Sequence, residues 1–253
     1  MKRLPFVLLM LIGCHILFQG PAAWAQEARK IVETAWNYYQ GQSSFTLVDM
    51  VIHRANWSRQ LTIKVWTEGR KDCIFKIMSP PKDEGIGTLK KGREMWTYTP
   101  KINRTIKIPP SLMSQPWMGS DFSNHELSKA DSIVEDYVHE IIGREKQGDH
   151  AVYIIKAIPK DNAPVVWGEQ MLKIRHDHVL LKQSFYDEDG KLVKEMTGSH
   201  IKKFGDRFVA SVWHMRKAEN PDEFTKLVYR NVEYDISIPS HYFSLSSLKD
   251  HRL

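Results

Sequence analysis

From Ser44 onward the chain returns repeatedly to short stretches in which apolar and polar residues alternate, separated by turn-forming residues. A period of two sends successive side chains to opposite faces of a strand, and this constrains the fold more than any other feature. Arg59 to Glu68 is the clearest case. Leu61, Ile63 and Val65 share one face, Thr62, Lys64 and Glu68 the other, where Trp66 joins them. Lys71 to Met78 repeats the pattern with Cys73, Phe75 and Ile77 together, and Pro80-Pro81 closes that strand. Ser44 to Arg54 is apolar on both faces, Val48, Met50 and Ile52 on one and Phe45, Leu47 and Val51 on the other. Further strands are expected near 137–146, 150–158, 167–176, 179–187, 191–201, 206–217 and 224–236. Their joints are turn-formers: Gln147-Gly148-Asp149, Asp187-Glu188-Asp189-Gly190 and Phe204-Gly205-Asp206. About eleven strands with two or three helices imply an all-β or β-rich α+β architecture. No repeat or low-complexity linker divides the chain, so one domain is expected.

One long helix is expected at Glu27 to Gln40. Ile31, Ala35 and Tyr38, with Val32, Trp36 and Tyr39, form a broad apolar stripe at helical spacing, and Gly41 ends it.

The segment Met95 to Leu127 departs from the meander. Trp96 and Tyr98 alternate with Met95, Thr97 and Thr99 in a strand; Pro100 to Asn103 turns; Thr105 to Ile108 makes a second short strand. After Pro109-Pro110 comes an irregular stretch carrying Leu112, Met113, Trp117, Met118 and Phe122. Each such group left in water forfeits roughly 1.5–3 kcal/mol of burial, so this flap must cover a core, a partner or a ligand. Ser123 and Glu126 have the spacing of a capping box that starts a helix behind it.

The same region resembles a known family. Pro81-Lys82-Asp83-Glu84-Gly85, Trp96-x-Tyr98-x-Pro100 and Met118-Gly119-Ser120-Asp121-Phe122-Ser123 are similar to the outer-membrane lipoprotein-sorting group, the longer LolA-like proteins. The closing Ile238-Pro239-x-x-x-Phe243-Ser244-x-x-x-Leu248 resembles that family's C-terminal end. The resemblance implies an unclosed antiparallel β-barrel whose helices and flap cover a hydrophobic cavity for acyl chains. It implies no enzymatic activity, and no cofactor is expected. It also implies delivery of lipids or lipoproteins between an inner-membrane transporter and an outer-membrane acceptor. On that frame, Leu61, Ile63, Val65, Phe75, Ile77, Trp96 and Tyr98 are expected to line the half-barrel, with Met113, Trp117, Met118 and Phe122 as a movable cover.

The amino terminus reads as an export signal: Lys2 and Arg3, an apolar core from Leu4 to Ile12, and Ala23-Trp24-Ala25 as a small-residue cleavage site. Leu11-Ile12-Gly13-Cys14 also fits a lipoprotein box that would lipidate Cys14. Cleavage after Ala25, the preferred reading because apolar residues follow Cys14, places the mature protein in the periplasm as residues 26–253. It takes Lys2 and Arg3 from 36 basic residues and leaves all 30 acidic ones, a net charge of +4. So small and dispersed a charge argues against nucleic acid as a partner. Cys73 is then the one remaining cysteine, which excludes an internal disulfide and suits a buried small hydrophobe. A monomer is expected.

Catalytic signatures are missing: no Gly-x-Ser-x-Gly elbow, His-Glu-x-x-His helix, phosphate loop or paired-cysteine motif occurs. His176-Asp177-His178 reads as a hairpin tip, not a metal site, and Asp187 to Gly190 lacks the oxygens of a calcium loop. The expected function is a carrier of lipids or lipid-modified proteins. A periplasmic sensor domain using the same cavity for a protein or lipid signal is the alternative.

Overall fold

The computed structural model describes residues 21–250, with side chains from residue 25. The charged start, apolar core and Cys14 of the expected export signal lie outside the described residues. The first element is helix α1 (Pro21–Gln40). It starts before the expected cleavage site, so processing after Ala25 would trim its first turn. Gly41 ends it at φ +69°, donating its N–H to the Asn37 carbonyl.

Thirteen strands follow: β1 (Ser43–Arg54), β2 (Trp57–Glu68), β3 (Asp72–Ser79), β4 (Gly87–Lys91), β5 (Glu94–Thr99), β6 (Arg104–Lys107), β7 (Tyr137–Gln147), β8 (His150–Pro159), β9 (Glu169–Arg175), β10 (Leu180–Tyr186), β11 (Leu192–Phe204), β12 (Arg207–Lys217) and β13 (Asn220–Tyr234). They form one antiparallel sheet in the order β6-β5-β4-β3-β2-β1-β13-β12-β11-β10-β9-β8-β7. Two meanders, β1–β6 and β7–β13, are thus joined where β1 pairs with β13, and β6 and β7 remain as unjoined edges. This is the unclosed antiparallel barrel expected from the family resemblance. The strands read in the second half fall within a few residues of those observed. β4 went unread because Gly87, Lys90 and Lys91 break the apolar alternation, although Lys90 is almost wholly buried.

Register sorts the inner face of the first meander into rows. Met50 lies opposite Leu61; Val48, Ile63 and Ile77 form the next row; Thr46, Val65, Phe75 and Thr88 the next; Ser44, Thr67, Cys73 and Lys90 the last. The rows therefore pass from purely apolar to polar toward the β2–β3 turn. Within the second meander, Ala28, Val32 and Ala35 of α1 pack on Ile155, Ala157, Leu172 and Ile174. The helical spacing of those small residues lets the helix lie close to the strands.

The outer face is closed differently. Residues 236–250 fold back over β2–β5, burying Phe243 and Leu248 against Trp66, Ile74, Leu89 and Tyr98. Gly87 permits this: a Cβ there would stand 2.9 Å from the Leu248 side chain. Lys76, also beneath this segment, donates to the Leu248 carbonyl at 2.7 Å. Burial lowers its pKa to about 8.

Candidate binding cavity

The inner face encloses a cavity of about 370 Å³. That volume lies toward the lower end of the range typical of small-molecule sites, roughly 300–1,000 Å³. Its first wall is the inner rows of β1–β3, including Val48, Met50, Ile63, Val65 and Phe75. The opposite wall comes from the second meander, with Phe185, Met196, Trp213, Met215 and Leu227. Trp36 and Tyr39 of α1 enter from one side, and the segment joining β6 to β7 covers another. That joining segment carries the flap, then helix α2 (Asn124–Ser128) and helix α3 (Ser132–Glu135).

The flap is tethered at both ends. Trp117 is buried, stacks obliquely on Phe75 at 5.2 Å between ring centroids, and donates its indole N–H to Thr88 Oγ1 at 3.0 Å. Met118 and Gly119 take the left-handed region (φ 54° and 81°), which turns the chain back so that the Trp117 amide meets the Phe122 carbonyl at 2.7 Å. Asp121 receives Arg54 at 3.0 Å and the Thr225 hydroxyl at 2.7 Å. Lys194, from β11, donates to the Asp121 carbonyl and to Glu126 at 2.8 and 2.7 Å. The expected capping box is present: the Ser123 hydroxyl accepts from the Glu126 amide, while the Glu126 carboxylate accepts from the Ser123 amide. Contacts of this kind, between largely buried charged groups, are costly to break singly, so they hold the segment against the sheet as a set.

Of the residues expected to form the site, Ile63, Val65, Phe75, Trp117 and Phe122 line the cavity. Leu61, Ile77 and Met118 pack in the apolar cluster beside it without lining it. Met113 is half-buried on the flap, where its carbonyl accepts the His125 amide at 2.7 Å. Trp96 and Tyr98 require a correction: they lie on the outer face with Phe243 and Leu248, while Met95 faces inward. Alternation alone does not choose between the two faces of β5, because the C-terminal segment buries the outer one as well.

The second meander contributes lining residues that the sequence pattern does not mark. Trp213 fits because Gly198 stands opposite it; a Cβ there would come within 2.9 Å of the indole ring. Tyr39 and Tyr229 meet hydroxyl to hydroxyl at the cavity wall. Burial, and the neighbouring phenol, hold the pKa of Tyr39 well above the usual phenol value. Burial also pushes the Cys73 thiol up to about 12, so it stays protonated at the cavity wall.

At the β9–β10 turn, the structure brings His150 beside His176 and Asp177, their candidate ligand atoms all within 4.8 Å of one another. Sequence separation had hidden that grouping. The Asp177 carboxylate is already held by Arg175 at 2.9 and 2.5 Å, and His178 turns toward the Tyr38 ring. Asp187 accepts the amides of Asp189 and Lys191, closing an ordinary turn.

Architecture and cavity together define the LolA-like class of fold. A family model described as "Uncharacterized protein" matches residues 69–250, and the chain belongs to that family. Solved structures share the fold. A DUF1329 family protein from Desulfovibrio piger superposes with TM-score 0.79 at 21% identity, covering 89% of this chain and 99% of that one. An outer membrane lipoprotein-sorting protein domain from Vibrio parahaemolyticus gives TM-score 0.77 at 21% identity, covering 89% and 100%. A LolA superfamily protein from Nitrosomonas europaea gives 0.71 at 21%, covering 87% and 98%. No curated protein matches the chain.

Proposed function

We propose that this chain is an exported, non-enzymatic carrier that holds acyl chains of lipids or lipid-modified proteins in its cavity and moves them toward the outer membrane. The observation that carries the reading is the cavity itself: alkyl and aromatic side chains from both meanders, α1 and the flap face a common space. Such a lining offers desolvation. Each buried methylene of a ligand contributes about 0.8 kcal/mol, so about twelve of them supply on the order of 10 kcal/mol before ordering costs. Release then requires weakening the enclosure, and the ionic tethers at Asp121 and Glu126 are the natural points at which a donor or acceptor would act. An inner-membrane transporter as donor and an outer-membrane acceptor fit this role, with the carrier working as a monomer in the periplasm. Among the described residues, no helix is long and apolar enough to cross a membrane.

Native mass spectrometry of the exported protein, followed by lipid extraction, tests the reading. Bound species carrying acyl chains are expected. A protein that is ligand-free as isolated and binds no lipid on incubation would contradict it.

A further inference from the structure

The inner rows of β1–β4 set a polarity gradient along the cavity. Val48, Ile63 and Ile77 give way to Thr46, Val65, Phe75 and Thr88, then to Ser44, Thr67, Cys73 and Lys90. Ser44 and Thr67 hydroxyls bond each other at 2.6 Å, which leaves Lys90 as the outstanding polar group of its row. Lys90 is only 3% exposed, yet it lines the cavity. Its ammonium donates to the Arg70 carbonyl at 2.6 Å, and among the described residues no carboxylate forms an ion pair with it. An ammonium carries three donors, and a buried charge is costly unless it is paired.

Other charged groups share the lining. Arg70 and Lys129 also line the cavity. Burial and the nearby Arg93 guanidinium together lower the Lys129 pKa, while Asp136 and Asp131 oppose the shift. Asp72 lies at the same end, where its carboxylate accepts the Gly92 amide. Glu135 is taken up by Arg70 at 3.1 Å. Glu126, farther along the lining, is paired with Lys194.

Resting on the carrier reading above, we infer that Lys90, with Arg70 and Lys129 also in the lining, seats an anionic head, a carboxylate or phosphate. The attached alkyl chain runs along the apolar rows toward Val48 and Ile63. The cavity thus selects anionic over neutral amphiphiles of equal chain length, with Lys90 as the residue that sets the preference.

The test uses the lipid-free mature chain and three probes: a fluorescent fatty acid, its methyl ester, and inorganic phosphate. Wild type is expected to bind the acid at least tenfold more tightly than the ester. Lys90→Met should bring that ratio near one while leaving ester binding intact; Lys90→Arg should retain most of the preference. Lys129→Gln should lower the ratio two- to threefold. Equal wild-type affinity for acid and ester overturns the inference and leaves the carrier reading standing, whereas uptake of neither overturns both. Millimolar phosphate that displaces the fatty acid competitively would assign the seat to free phosphate and overturn the lipid-head assignment. Loss of ester binding in Lys90→Met, with Lys90→Arg failing to restore the preference, would make Lys90 structural and also overturn it.

Discussion

The two faces of the β2–β5 region are built from the same alternation and finish in opposite ways. Outside, Trp66, Ile74, Leu89 and Tyr98 are sealed by Phe243 and Leu248 of the C-terminal segment, with Gly87 allowing van der Waals closeness. Inside, Val65 and Phe75 face a space that the second meander and the flap enclose without filling. The buried lysines mirror this difference. Lys76, outside, has two backbone carbonyls within reach, at 2.7 and 3.4 Å; Lys90, inside, has one. A sheet can therefore spend one face on stability and keep the other for a ligand. Substitutions should separate the two.

The largest effect is expected outside. Phe243 is 1% exposed, and Phe243→Ala should cost about 3–5 kcal/mol of stability while binding per folded molecule is retained. Denaturant titration beside a probe-binding curve checks both. Equal loss of affinity would mean that the faces are not independent.

His139 supplies a test on the inner side. It is buried on β7 with Nε2 2.7 Å from the Ile133 carbonyl, and burial lowers its pKa to about 4. Between pH 6.5 and about 4 the unfolded chain takes up a proton that the folded chain refuses. This group's contribution to stability is therefore lost as pH falls through that window, on the order of 3 kcal/mol in total. His139→Gln should flatten that part of the stability–pH curve; an unchanged slope would refute the assignment.

Lys76 works at the alkaline end. Its pKa is depressed to about 8, so the penalty for burying its charge is full below pH 8 and is relieved as pH rises toward 10.5. Relative to Lys76→Met, the wild type should gain roughly 1–3 kcal/mol over that range. The comparison with the variant is needed because Cys73 acts oppositely: its folded-state value of about 12 makes stability fall above pH 9. Slow labelling of Cys73 by thiol reagents in the native chain, and rapid labelling once unfolded, would confirm its placement.

The smallest stability change is expected from filling the cavity. Val65 is half-buried at its wall, and Val65→Phe should lower acyl-chain uptake at least tenfold while stability moves by no more than about 1–2 kcal/mol. Calorimetry and probe binding on one preparation decide it.

Much of this was legible in the sequence, for identifiable reasons. Where polar residues mark one face, as at Thr62, Lys64 and Glu68, the inward set Leu61, Ile63 and Val65 follows directly. The capping box at Ser123 and Glu126 is a local device and was readable locally. β5 was misread because both of its faces are buried, which erases the polar marker: Met95 goes in, Trp96 and Tyr98 out. Trp213 and Tyr229 carry no local mark as cavity residues, because their place opposite the first meander depends on pairing across the β1–β13 seam, which joins the chain's two halves. Lys90 was invisible for a chemical reason. A lysine in a short glycine-bounded stretch reads as surface, and only the register with Cys73 and Thr67 carries it inside.

The central claim is that the inner face is a container for acyl chains. The most direct measurement delipidates the mature wild-type chain under mild denaturation, refolds it and titrates it with a fluorescent fatty acid. Saturable one-to-one uptake is expected, weakened at least tenfold by Val65→Phe and retained in Phe243→Ala molecules that remain folded. A refolded wild type that takes up no probe would contradict it.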